Sequence, residues 1–349
     1  TVTLSSNSQL TWGQGGFIAN GNALIFGSDT AADQVIFTND MNLNGGNGKV
    51  LVTANGNSLA AGNGTISDSA TFTGVLSNGS LTVGDAAHTG ILILDKSNTY
   101  TGGTVVNGGT LRESATGFLA DSGNLTVDGP TAVFDLGASH SDTVGTITLD
   151  HGGRLTGTGT SALDSATSFE VKDGTVDIFL TGAAVLNKTT DGTVTLNKKN
   201  TYTGDTTVIA GKLQYGTNDA IASGTVTVNG ATAELALGGY SDTVGTVTLD
   251  NGGLISGTGT LTSTGSFEMK SGTVNAVLGG SGIALNKTTA GTVVLNNKNT
   301  YTGATTVTAG KLQYGTNDAI ASGTVTINGP TAELALGGYS DTVGSVAHT

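Results

Sequence analysis

Two nested periods constrain this chain more than any single motif does. The string NTYTG occurs at Asn98–Gly102, Asn200–Gly204 and Asn299–Gly303, and SDTVG begins at Ser141, Ser241 and Ser340. Spacings of 99 to 102 residues therefore define a long unit present nearly three times. A unit of that length is too long for one supersecondary element, and a shorter rhythm runs inside it. Short apolar runs bend at Gly211, Gly230, Gly252, Gly272, Gly291 and Gly310, at intervals of 19 to 22 residues. Stacked units that each bury only part of their surface produce such a period.

Within each run the residues alternate. Val226 and Val228 share one face of TVTV while Thr225 and Thr227 share the other, and Leu235 and Leu237 oppose Glu234 and Ala236. Period-two alternation marks half-buried strands, and the Val, Ile, Leu and Thr that dominate the runs are strand formers. Charged residues are only 11% of the chain and proline numbers two, which excludes the highly charged or proline-rich composition of disorder. The prediction is an all-β fold, a single-stranded parallel β-helix (solenoid) with coils of about 19–22 residues. An array of β-sandwiches would leave the inner period without a role.

Residues 1–97 keep the strand–turn–strand rhythm less regularly. Trp12, Phe17 and Phe26 make the start the most aromatic window, the composition expected of a cap over the first coil. No linker separates this segment from 98–349, so one continuous domain is expected: irregular coils at 1–97, then nearly three copies of the long unit. Thr1 opens directly into TVTLSSNSQL without a basic signal-peptide region, which reads as a mature or excised segment.

Gly90–Leu111 reads GILILDKSNTYTGGTVVNGGTL, and GTVTLNKKNTYTGDTTVIAGKL and GTVVLNNKNTYTGATTVTAGKL follow the same pattern. These stretches closely resemble the autotransporter-associated β-strand repeat of secreted passenger regions in Gram-negative bacteria. The resemblance implies a right-handed parallel β-helix, either secreted or displayed at the bacterial cell surface. It also implies a parent protein with an outer-membrane barrel, which this chain does not include. The family spans adhesins, self-associating proteins and enzyme carriers, so activity must be read from the residues.

Catalytic constellations are sparse. No G-x-S-x-G nucleophile setting is present, cysteine is absent, and the four histidines lie apart in sequence. One enzyme alternative stands, a pectinase-like site at Asp150, His151 and Arg154 in DHGGR, a stretch whose next copy reads DNGGL. Drift in a solvated turn accounts for that difference better, so no enzymatic activity is expected. No cofactor is expected either. Asp40–Gly45, DMNLNG, matches the first half of a calcium loop, leaving an isolated calcium site open, but Leu51 stands where a bidentate Glu is required.

Repeated surface features are the better binding candidates. The net charge of −13 disfavours nucleic acid as a partner. Lysines group near the NTYTG coils (Lys188, Lys198 and Lys199, then Lys287 and Lys298), and acids near others (Glu234, Asp242 and Asp250). Such bands would suit lateral or end-to-end self-association, and host or cell-surface glycan or protein are the other partners considered. Seven tyrosines recur at matched positions, where corner packing is favoured over a glycan-stacking role. Tyr240 and Tyr339 take the place held by His140 in the first copy. The resulting expectation is a non-enzymatic surface solenoid acting in adhesion, self-association or extracellular matrix formation.

Overall fold

The computed structural model describes residues 9–12, 16–17, 23–26, 34–43, 47–52, 69–222, 224–321 and 323–348. Every regular element in them is a β-strand, and every pairing between strands is parallel. The chain is a parallel β-solenoid. It divides into two compact units, Thr1–Gly182 and Ala183–Thr349.

Each coil places one strand in each of two long sheets. In the first unit, Ile91–Leu94 lies between Ser69–Phe72 and Gly109–Glu113, followed by Ala132–Ala138, Gly153–Thr158 and Gly174–Val176. Its second sheet runs through Ser80–Val83, Thr104–Val106, Leu125–Asp128, Ile147–Asp150 and Ser168–Val171. The second unit repeats the plan from Thr193–Leu196 to Ala332–Ala335 and from Val185–Lys188 to Ser345–His348. Leu163 pairs with Leu180, 17 residues on, and Thr110 pairs with Val133, 23 on, which brackets the coil length from Ser69 onward. Nearer the N-terminus the coils lengthen: Gln9 pairs with Gln34, and Gln34 with Ser69. The backbone at Trp12, Phe17 and Phe26 is in strands. Their side chains, and with them the expected cap, lie outside the described residues.

Register explains the core. Leu92, Leu111, Phe134, Leu155 and Val176 are successive partners in one row, all fully buried. Val194, Leu213, Leu235, Ile255, Val274, Leu295 and Tyr314 form the matching row in the second unit. Each fully buried aliphatic side chain contributes about 1.5–3 kcal/mol. Between coils the backbone comes close. A Cβ on Gly211 or Gly310 would fall 2.3 Å from the carbonyl oxygen of Thr190 or Thr289, and both glycines have positive φ (65° and 66°).

A third corner gives the long period its meaning. In the first unit, after an N-terminal three-stranded sheet of Gly16–Phe17, Met41–Asn42 and Leu76–Ser77, it is the three-stranded sheet Ser141–Val144, Ala162–Ser165 and Phe179–Thr181. In the second unit it is Asp242–Val244, Thr260–Ser263 and Val277–Gly279. The two coils preceding each of the two later sheets carry loops there instead: the NTYTG loop, then a loop near 117–122, 218–222 or 317–321. Five coils, two looped and three stranded, make one long unit.

The loops replace ladder hydrogen bonds with side chains. Asn299 accepts from Leu278 N–H at 2.7 Å and donates to Ala319 O at 2.7 Å, tying three coils together. Asn98 does the same between Leu76 N–H (2.8 Å) and Phe118 O (2.7 Å). Four residues past each NTYTG tyrosine's own position a threonine meets its hydroxyl: Tyr100–Thr104, Tyr202–Thr206 and Tyr301–Thr305, at 2.6 to 2.8 Å. SDTVG has a matching task. Asp142, Asp242 and Asp341 accept from the N–H of Leu119, Ile221 and Ile320 in the preceding loop at 2.9 to 3.0 Å.

Replacing Asn299 by alanine would orphan a buried donor and a buried acceptor, so Asn299→Ala should cost roughly 2–4 kcal/mol. Tyr301→Phe, which loses one hydroxyl pair, should cost about 1 kcal/mol. Urea midpoints of the two variants test this ordering, and an Asn299→Ala midpoint equal to that of the parent would refute the assigned role.

Candidate functional site

The corner loops frame a groove in each long unit. In the first it is about 620 Å³, between Ser97–Thr101 and Gly117–Ser122. In the second unit two grooves of about 430 and 440 Å³ occupy equivalent places, one between Lys199–Thr201 and Asp219–Ala222, the other between Lys298–Thr302 and Asp318–Ala321. Asp242 and Thr243 close one of these, and Asp341 and Thr342 the other. The floor is the buried Asn200 or Asn299 amide, and the rim is an exposed ion pair. Lys199 Nζ donates to Asp219 Oδ2 at 2.7 Å and Lys298 Nζ to Asp318 Oδ2 at 2.8 Å. These hydrogen bonds raise both lysine pKa values.

Several residues proposed for a self-association surface are placed elsewhere. Lys188 and Lys287 are fully buried and Asp242 nearly so, which removes them from any contact face. Lys287 Nζ donates to Ala309 O at 3.0 Å and to Thr289 O, and Lys188 Nζ to Ala210 O at 3.0 Å and to Thr190 O. Each ammonium thus closes the turn carbonyls of two successive coils, and desolvation lowers the Lys287 pKa. Asp242 is consumed by the loop contact above, with burial raising its pKa to about 6. Lys199 and Lys298 are exposed, and Lys198 is half-buried.

The expected charge bands also pair within the chain. Lys212 faces Glu234 directly across adjacent coils at 3.2 Å, and Lys311 faces Glu333 at 3.1 Å. Arg112 and Asp135 repeat the arrangement at 2.8 Å, while Asp250 stands 3.9 Å from Lys270. Part of each band is thus paired between coils of the same chain.

Asp150 and His151 lie close together, but Arg154 is paired with a different acid. His151 has φ 48°, and Asn251 in the next copy has φ 51°, so the position is a left-handed turn. Asp150 and Asp250 accept from the following N–H at 2.8 and 2.7 Å, the same turn in both copies. The exposed His151 ring meets Asp128 at 2.6 Å, which raises its pKa, whereas Arg154 pairs with Asp177 at 2.6 Å. His151 Nδ1 also lies 3.8 Å from Asp150, which faces Lys172 at 3.5 Å, so Asp150 and His151 share one surface cluster while Arg154 is paired outside it. Asp40 Oδ1 in the calcium-like stretch accepts from Val75 N–H at 2.8 Å, and residues 44–46 lie outside the described ones. Among the described residues no three His, Asp or Glu side chains gather as a metal site.

A buried acid pair was missed by motif reading. Glu113 is 1% exposed, beside the nearly buried Asp142, and both carboxyls accept the Leu119 N–H, at 3.2 and 2.9 Å. Glu113 Oε2 has no donor facing it. Protonation makes the Glu113 carboxyl a donor toward Asp142, and desolvation, the hydrogen bond and the neighbouring charge push its pKa up to about 10. Later copies put Tyr215 or Tyr314 in this slot, against Asp242 or Asp341. The signal was alternation, since Leu111 points inward and Glu113 is two residues on.

Comparisons with known proteins bear on all three grooves. The family model described as Passenger-associated-transport-repeat matches residues 89–112, 186–214 and 285–313, each containing one NTYTG loop. Adhesin BmaC autotransporter of Brucella suis biovar 1 (strain 1330) is 35% identical over 175 residues, 50% of this chain. The chain spans 4% of that protein's length. No solved structure matches.

Two expectations follow. Glu113 is protonated when folded and ionises near its ordinary pKa when unfolded, so between about pH 4.5 and 10 folding takes up a proton. Stability should therefore fall as pH rises through that window. Thermal midpoints from pH 7 to 9, above the Asp242 titration, should fall for the parent and flatten in Glu113→Gln. Lys287→Met should lower the stability by about 1–3 kcal/mol, and the midpoint with it, because two turn carbonyls lose their donor. Lys298→Ala, at an exposed pair, should leave it unchanged.

Proposed function

We propose, from the premise that this chain is an autotransporter passenger β-solenoid carrying the passenger-associated-transport-repeat, that it works as a non-enzymatic adhesive surface module. The observation carrying this reading is the coincidence of the three matched repeats with the three corner grooves. Similarity to an autotransporter adhesin supports it. The surface chemistry agrees: polar loops recur at fixed intervals on a rigid stack, a layout suited to many weak contacts acting together. The module is secreted or held at the bacterial surface by the rest of its parent protein. It binds a host or cell-surface glycan or protein, or a further copy of itself through the corner loops, and acts without a cofactor.

The enzyme alternative loses support from geometry, because Asp150, His151 and Arg154 are each engaged in turn or ion-pair contacts. Latex beads coated with the purified chain should adhere to cultured epithelial monolayers several times more than albumin-coated beads. His151→Ala and Arg154→Ala should adhere like the parent. Adherence no greater than that of albumin would overturn the adhesive reading.

A further inference from the structure

The three grooves share one backbone plan but not one surface. Gly117, Asp219 and Asp318 hold the same position, each donating its N–H to the serine of SDTVG at 2.9 Å. All three have positive φ: 75° for the glycine, 53° and 54° for the two aspartates. Glycine suits that conformation without a Cβ clash, and aspartate accepts it at a cost. The cost is retained where the Asp carboxylate reaches a lysine. Lys199 and Lys298 take the place of Ser97, so both members of the pair change together between copies. Exposed pairs of this kind add little to stability, so folding gives no reason to keep them.

A third difference travels with the pair. Tyr240 and Tyr339 are 39% and 41% exposed, whereas Tyr100, Tyr202, Tyr215, Tyr301 and Tyr314 are buried. Each exposed tyrosine directly precedes the serine whose N–H donates to Asn218 or Asn317, at 2.8 and 2.9 Å, which sets it beside the loop that forms the groove wall. The first copy has His140 there, with Nδ1 buried.

We propose that the grooves at Lys199–Asp219 and Lys298–Asp318 are two equivalent binding sites for a neutral saccharide, and that the first-copy groove is not one. This proposal rests on the adhesive reading and names its ligand class. A sugar hydroxyl donates and accepts at once, and an ammonium hydrogen-bonded to a carboxylate supplies both partners. Thr201 and Thr243 add hydroxyls to the rim, and Tyr240 and Tyr339, exposed next to the wall loop but outside the groove lining, offer rings to the apolar face of a sugar that extends past the rim. Grooves of about 430 and 440 Å³ lie within the range of small-ligand pockets. The net charge of −13 disfavours acidic sugars. Five coils separate the sites, or about 24 Å at the spacing of parallel strands, within reach of one polysaccharide chain.

The test is an oligosaccharide array of neutral and sialylated or sulfated glycans, probed with the full chain and two double variants. Binding to neutral glycans is expected, weakened about tenfold by Tyr240→Ala with Tyr339→Ala. A comparable loss is expected for Lys199→Ala with Lys298→Ala, with circular dichroism unchanged in both variants. Ser97→Ala should bind as the parent does. The proposal is overturned by no binding to any glycan, by binding only to acidic glycans, or by binding that survives both double variants. Sedimentation that shifts with these variants while glycan binding is absent would make the groove a contact between copies, and would equally overturn it. Bead adherence separates the two levels: beads that adhere equally with either double variant leave adhesion standing and remove the saccharide sites.

Discussion

Coil-to-coil register is the constraint on which the rest of this structure depends. Every buried row is a column of in-register partners, so a slip of one residue would turn Leu92, Leu111, Phe134, Leu155 and Val176 outward together. Two sheets hold that register by backbone pairing. The third corner holds it only in the three coils that pair as strands. Where two coils carry loops, side chains take over: an asparagine below, an aspartate above, with the groove between them. The groove is therefore a by-product of the register lock, and its walls are rigid because the lock is.

The same arrangement explains why the chain advertises NTYTG and SDTVG. Asn98, Asn200, Asn299 and the aspartates of SDTVG bond backbone groups one coil away. The tyrosines of NTYTG are buried with their hydroxyls satisfied by threonine, so they belong to packing. Copies agree at these positions because the geometry does, and they differ where the geometry is indifferent. Ser97 against Lys199 and His140 against Tyr240 are differences of that second kind, whereas Gly117 against Asp219 is a difference kept at a left-handed position.

Fold class, coil length and the long period were legible because alternation and glycine spacing report directly on strands and corners. The direction of individual charges was legible as well, but charge type obscured it. Lys188 lies two residues beyond the buried Leu186, Asp242 two before the buried Val244, and Glu113 two beyond Leu111, so alternation places all three inward. Reading Lys188 and Asp242 as surface followed the rule that charges face water, which fails where turn carbonyls or a loop N–H can compensate a buried charge. The groove could not be read from spacing, since its two walls come from loops about 20 residues apart whose meeting depends on the coil closing. The pairing of Lys212 with Glu234 was equally hidden, because register across coils decides which residues face each other.

That pairing bears on how such chains would meet. Lys212, Lys311 and Arg112 are paired with acids across adjacent coils, while acids outnumber bases by 13. Two identical surfaces of this kind repel at low ionic strength, and the repulsion fades as salt screens it. Lateral contact between copies would have to outweigh that net repulsion with short-range contacts. The corner loops are where such contacts are available, because there the backbone is held by side chains, threonine hydroxyls are exposed, and Tyr240 and Tyr339 are the tyrosines that face solvent. Any ligand, saccharide or second chain, would compete for the same corner.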